Sequence, residues 1–228
     1  MREYYTTGSE VCLLSVPLYL AADCEEIVTI SENQPRALTG CGVFADGSAR
    51  IPDLHIEALR VIDDAVVPER LPDEAVLDTL AEGCAQGCFF DFLRKPTEFH
   101  RALLDGLKKR LPENAPFFVP QRYLTLAPQA VCVLSPTLPQ NCWEAFTSRA
   151  KAEYPRGWCL ELIPWSLRVP LKTEQKSARR LPCSCCLVER RADGLLYFDT
   201  PQTLHARFSL AQRYGCIAGI ALNCEMKE

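Results

Sequence analysis

No apolar run in the 228-residue chain reaches the ~18 residues that a membrane-spanning helix requires, so no membrane association is expected. Basic clusters are equally scarce. The net charge is −4, and the nearest thing to a basic run, KSARR at 176–180, reads as a solvated loop, which leaves nucleic acid a poor candidate partner. No glycine-rich phosphate fingerprint follows an early strand, and no repeat, low-complexity stretch or linker divides the chain. One domain spanning 1–228 is the expectation. The three histidines are scattered, and CSCC at 183–186, even with Cys84 and Cys88, lacks the two spaced pairs of a zinc site. No metal and no cofactor is expected.

Cysteine, by contrast, is abundant. The thirteen cysteines are odd in number and sit singly in apolar stretches such as VCLLSV, AVCVLS and GWCLEL, as buried free thiols do. A secreted disulfide scaffold would be shorter and loop-rich, so a reducing cytoplasm is the expected compartment. No thiol is marked as an activated nucleophile. VCLLSVPLYLAA (11–22) could pass for the core of a signal peptide, but Glu10 precedes it, Pro17 interrupts it and Asp23 follows it; a buried strand is the better reading.

Hydrophobic residues make up 48% of the chain and charged residues 24%, ordinary values for a protein with a sizeable core. Short, continuously apolar runs recur at 11–20, 25–31, 38–44, 58–67, 87–93, 116–124, 130–138, 157–165, 195–199 and 217–222, the pattern of strands covered on both faces. Helical patterns at 73–83, 96–111, 141–154 and 200–215 lie between several of them. Strand–helix alternation with roughly eight strands predicts an α/β fold, a small irregular (β/α)8 TIM-type barrel, with a doubly wound sheet as the alternative. Residues 39–57 read as an irregular excursion or a β-hairpin, and 183–199 as two strands around an Asp193-Gly194 turn.

The segment LLYFDTPQTLHARFSLAQRYGCIAGIAL (195–222) resembles the closing segment of family 18 glycoside hydrolases, the chitinase-like barrels. QGCFFDFLRKP (86–96) is similar to that family's fourth strand, which reads DGxDxDxE and is followed by an aromatic, a proline and a helix. Gly87 matches the glycine, Asp91 the last aspartate and Pro96 the proline; GWCLELIPW (157–165) is similar to the seventh strand. The resemblance implies a barrel with its site at the C-terminal mouth, and it also implies losses. The catalytic glutamate falls on Leu93, and the two earlier aspartates fall on Gln86 and Phe89. The Tyr-Asp pair of the sixth strand has no counterpart in VCVLSPTLP, and Leu222 or Asn223 stands where a tryptophan floors the sugar site. In that family a protonated carboxyl serves the leaving oxygen while the substrate's acetamido group attacks, and leucine cannot carry the proton.

The candidate catalytic residues are therefore Asp91, Asp64 and Glu161. Asp91 ends a strand, where barrel chemistry sits, or caps the loop that follows. Asp63 and Asp64 point to opposite faces of their strand, so only one can face the mouth. Glu161 is the lone charge on an apolar strand and must reach the mouth or a basic partner. Asp63, Gln121, Tyr123 and Trp165 are candidate ligand contacts; His100 and His205 read as packing or surface residues. The expected function is a glycoside hydrolase-like protein that binds carbohydrate without cleaving it. The alternatives are a hydrolase with a relocated acid and a protein-interaction scaffold. Composition assigns no oligomeric state.

Overall fold

The computed structural model describes residues 16–136, 138, 142–164, 166–170, 187–191 and 194–227. In chain order the strands are β1 (Leu18–Ala22), β2 (Arg36–Val43), β3 (Ala49–Arg50), β4 (Leu59–Asp63), β5 (Cys88–Asp91), β6 (Phe117–Pro120), β7 (Val131–Leu134), β8 (Trp158–Leu162), β9 (Ser166–Pro170), β10 (Leu187–Arg191), β11 (Gly194–Phe198) and β12 (Cys216–Leu222). The helices are α1 (Glu74–Gly83), α2 (Glu98–Arg110), α3 (Trp143–Glu153) and α4 (Pro201–Arg213).

Eight parallel strands close into a barrel in the order β1–β2–β4–β5–β6–β7–β8–β12, with β12 pairing back onto β1. The expected TIM-type barrel is therefore present, with four α-helices among the described residues packed on its outside. Strand alternation explains the continuously apolar runs. Leu59, Val61, Phe89, Phe118, Val133, Cys159, Ala218 and Ile220 fill the interior. Residues at the intervening positions, such as Ile62, Phe90, Leu134 and Leu160, pack outward against the helices. Gly87 opens β5 at φ +104, and a Cβ there would lie 2.6 Å from the Pro116 carbonyl oxygen. Only glycine lets the chain enter that strand.

Helices α1 and α4 start where their capping residues stand. Asp73 accepts a hydrogen bond from the Val76 amide at 3.0 Å, and Thr200 with Pro201 begins α4. Two sequence expectations shift, and one pair of alternatives is decided in favour of the hairpin. The run 25–31 is not a strand: Asp23 Oδ1 accepts the Glu25 and Glu26 amides and turns the chain into a single 3-10 turn, Ile27–Thr29. Its apolar residues Ile27 and Ile30 are buried at a three-residue spacing, which suits that turn. Residues 39–57 resolve into β2 and β3, an antiparallel hairpin turning at Gly47. The run 195–199 is not a barrel strand, because β11 joins β9 and β10 in a separate three-stranded antiparallel sheet between β8 and α4. The expected Asp193 turn and the CSCC and KSARR segments lie outside the described residues.

No helix among the described residues is long and apolar enough to cross a membrane. The nine described cysteines are free thiols, seven of them buried or half-buried. Burial pushes Cys41 and Cys216 up to about 12, the reverse of activation.

Candidate ligand site at the barrel mouth

The inward phase of each barrel strand, carried past its last residue, decides which side chains reach the C-terminal mouth. On β5 that phase runs Phe89, Asp91, Leu93; on β7 it runs Val131, Val133, Ser135; on β8 it runs Cys159, Glu161, Ile163. Asp91, Leu93, Ser135, Glu161 and Ile163 accordingly line one cavity of about 530 Å3, with Phe146, Gln121 and Arg122 on its wall. Leu93, 77% exposed, projects beside Asp91 at the rim. A second compartment of about 150 Å3 shares Phe89, Asp91, Glu161 and Ile163 with the first and adds Ala21, Thr39, Ile220 and Glu225.

Electrostatics in the mouth are those of carboxylates short of water. Burial raises Asp91 above its ordinary value; the neighbouring Asp63 and Asp64 charges add to the rise and Arg122 opposes it. Burial also raises Glu161, with the Asp91 charge adding and a hydrogen bond donated by the Ser135 hydroxyl opposing. Glu225, in the turn after β12, is raised by burial and by Glu161. Arg122, the basic residue on the cavity wall, donates to the Phe92 carbonyl and stacks on Tyr123 instead of pairing with Glu161, and the Arg168 side chain lies outside the described residues.

The other carboxylates at this end have structural partners. Asp63 lies in register with Asp91 but is held 2.5 Å from Arg50, which crosses from β3 over the bare backbone of Gly42. Asp64 takes the opposite face of β4, and at 3% exposure it is absent from the mouth. Its two oxygens accept the Leu93 and Arg94 amides at 2.8 Å each. The loop-capping role that Asp91 could have filled thus belongs to Asp64. The His100 Nε2 lies 3.4 Å from Asp64 Oδ2, while Nδ1 accepts the Thr97 amide at 3.2 Å. The Thr97 amide can only donate, so the ring is neutral with its proton on Nε2, and burial lowers its affinity for a second one.

Tyr123 is also absent from the mouth. It is wholly buried, packed on Phe92 and His100, and its hydroxyl donates to the Arg94 carbonyl at 2.9 Å. Trp158 is core, donating to the Tyr214 carbonyl, and Trp165 lies outside the described residues. His205 is exposed on α4. Where a floor tryptophan would stand, Leu222 is exposed on the small compartment and Asn223 is buried, donating to Glu26 at 2.8 Å. Among the sequence candidates, then, Asp91, Glu161 and Gln121 meet in the mouth, while Asp64 and Tyr123 do not. Ser135 and Glu225 escaped the sequence reading. Ser135 was legible as the next inward step of an alternating strand, but Glu225 lies past the end of any period. Among the described residues no group of His, Cys, Asp and Glu is arranged to hold a metal ion.

The fold is similar to two crystal structures of the spore cortex-lytic enzyme SleL. The one from Bacillus megaterium QM B1551 superposes with a TM-score of 0.54 at 15% identity, covering 90% of this chain and 70% of that one. The one from Bacillus cereus gives 0.55 at 12% identity, covering 93% and 71%. No family model matches the sequence, and neither does any curated protein. The likeness is one of fold: a closed parallel barrel shared with these enzymes.

Proposed function

We propose that the barrel mouth binds an oligosaccharide and does not cleave it by the mechanism of the family its sequence resembles. The observation that carries this reading is Leu93. It lines the 530 Å3 cavity two residues past Asp91, and the resemblance to family 18 aligns it with that family's proton donor. A positioned general acid is worth ~10²–10⁴-fold in rate, and an aliphatic side chain supplies none of it. Binding chemistry is nevertheless at hand. Phe146, Leu93 and Ile163 offer apolar surface for the C–H faces of a sugar, and Asp91, Glu161, Gln121 and Arg122 offer acceptors and donors for its hydroxyls. Similarity in fold to enzymes that lyse the spore cortex supports a glycoside hydrolase-like barrel.

Titration calorimetry against a panel of chito-oligosaccharides, with mass spectrometry of the recovered sugars, tests this proposal. Saturable binding with intact sugars is the expected result, and a panel without a binder overturns it. One observation favours a second reading. Glu161 is desolvated, raised above its ordinary value by burial and in the same cavity as Asp91, the kind of environment a general acid uses. If Glu161 has taken over that role, the protein hydrolyses an aryl-glycoside and Glu161→Gln abolishes the activity; intact substrate after prolonged incubation removes this reading.

A further inference from the structure

The mouth consists of two compartments that meet at a pair of carboxylates. The wide one opens between β5, β6, β7 and β8; the narrow one lies against β1, β2, β4 and β12, walled by Ala21, Val61, Ile220 and Ala221. Room exists there because the residues that β1 and β12 place on its wall include the small Ala21 and Ala221. At about 150 Å3 the narrow compartment matches the apolar cavities that accept a benzene-sized group. Asp91 and Glu161 border both compartments, and Glu225 borders the narrow one.

Charge in this space is one-sided. Among the described residues Arg122 is the sole basic residue on either lining, and its guanidinium is committed to the Phe92 carbonyl and the Tyr123 ring on the β6 side. Ser135 donates one hydrogen bond to Glu161, and among the described residues neither Asp91 nor Glu225 receives any from a side chain. Acceptors withdrawn from water without donors are costly. A neutral ligand relieves that cost weakly. An ammonium group brings three donors and a compensating charge, and hydrogen bonds between ions are roughly twice as strong as neutral ones.

On the premise that the mouth takes a saccharide, we infer that it selects a cationic one: an amino sugar with a free ammonium group, in preference to its neutral N-acetylated form. The ammonium sits where the compartments meet, within reach of Asp91, Glu161 and Glu225, while the sugar rings occupy the wide compartment.

The test is titration calorimetry of the full chain with glucosamine oligomers and N-acetylglucosamine oligomers of equal length, at low salt and a pH that keeps the amine protonated. A third titration uses benzylamine, a plain ammonium sized for the narrow compartment. The free-amine series is expected to bind at least ~10-fold more tightly, the ratio that one such interaction commonly supplies. That preference is expected to collapse in Glu161→Gln, and in Glu225→Gln as a second variant should the first fold poorly. Equal or tighter binding of the acetylated series overturns the charge inference and leaves saccharide binding standing. Binding of benzylamine with neither sugar series keeps the cation site and removes the saccharide premise. Silence from all three ligands removes both.

Discussion

Replacing Asp64 with alanine separates a structural carboxylate from a catalytic one. Each Asp64 oxygen accepts a backbone amide at 2.8 Å in a position 3% exposed, so truncation leaves the Leu93 and Arg94 amides without their acceptors. A hydrogen bond to a charged group contributes ~1.5–3 kcal/mol, which puts the loss at ~3–6 kcal/mol. For a chain of this size each kcal/mol moves the melting temperature by ~2–4 °C, so a fall of roughly 6–24 °C is expected. Urea unfolding followed by circular dichroism measures the loss. Ligand affinity, measured well below the variant's melting point, is expected to stay within roughly threefold of the parent, under 1 kcal/mol. Near-parental stability combined with lost binding would refute the reasoning, because it would place Asp64 in the mouth rather than beneath the loop.

Three further substitutions probe the same account. Asp199 and Arg207 form an ion pair at 2.5 Å with both side chains 0% exposed, and the guanidinium lies 5.0 Å from the Trp143 ring centroid; Asp199→Ala is expected to cost ~3–5 kcal/mol in chemical denaturation. A loss below ~1 kcal/mol would show that water reaches the pair. Gly87→Ala, at φ +104 and against the Pro116 carbonyl, is expected to lower stability by at least ~1–3 kcal/mol, read from its denaturation midpoint. Glu161→Gln is expected to raise the melting temperature near pH 7. The folded state holds the Glu161 proton more tightly than the unfolded state does, so its contribution to stability declines as pH rises from the ordinary value of 4.5 through the elevated folded value. The gain from Glu161→Gln therefore vanishes in scans below pH 4, and a pH-independent difference would contradict the desolvated setting.

The barrel was legible because its signals are local. Continuous apolar runs with helical patterns between them predict buried parallel strands, and the helical patterns at 73–83, 96–111, 141–154 and 200–215 each overlap one of α1 to α4. Matching positions also fell in order: the Asp91 segment is the fourth barrel strand, VCVL the sixth and WCLEL the seventh. The run 25–31 misled because its apolar residues also fit a three-residue spacing, and one aspartate, Asp23, selects the turn. Which of Asp63 and Asp64 faces inward depends on strand phase, which sequence leaves open by one residue. Arg50 reaching over Gly42 and Tyr123 lying under the Arg94 carbonyl are long-range contacts that no window contains. The mouth was therefore half legible, since the inward carboxylates follow from alternation while their partners do not.

What distinguishes the mouth from the rest of the molecule is disagreement with the forces that build the fold. Below it the barrel interior is apolar, with Ala21, Leu59, Val61, Phe89, Phe118 and Ile220 packed on one another. At the top, Asp91, Glu161 and Glu225 are drawn far enough from water that burial raises each above its ordinary value, a setting that weakens the folded state at neutral pH. Asp64, on the other side of the same wall, shows how this fold satisfies a carboxylate when the purpose is structural, with two amides at 2.8 Å. The mouth carboxylates receive no such treatment. Polar groups that reduce stability where packing would serve better are the ground for proposing a site here, and these three border two adjoining compartments. Leu93 carries no proton for that space, which is why recognition is the function proposed for it, and the one-sided charge of its lining is why a cationic ligand is inferred.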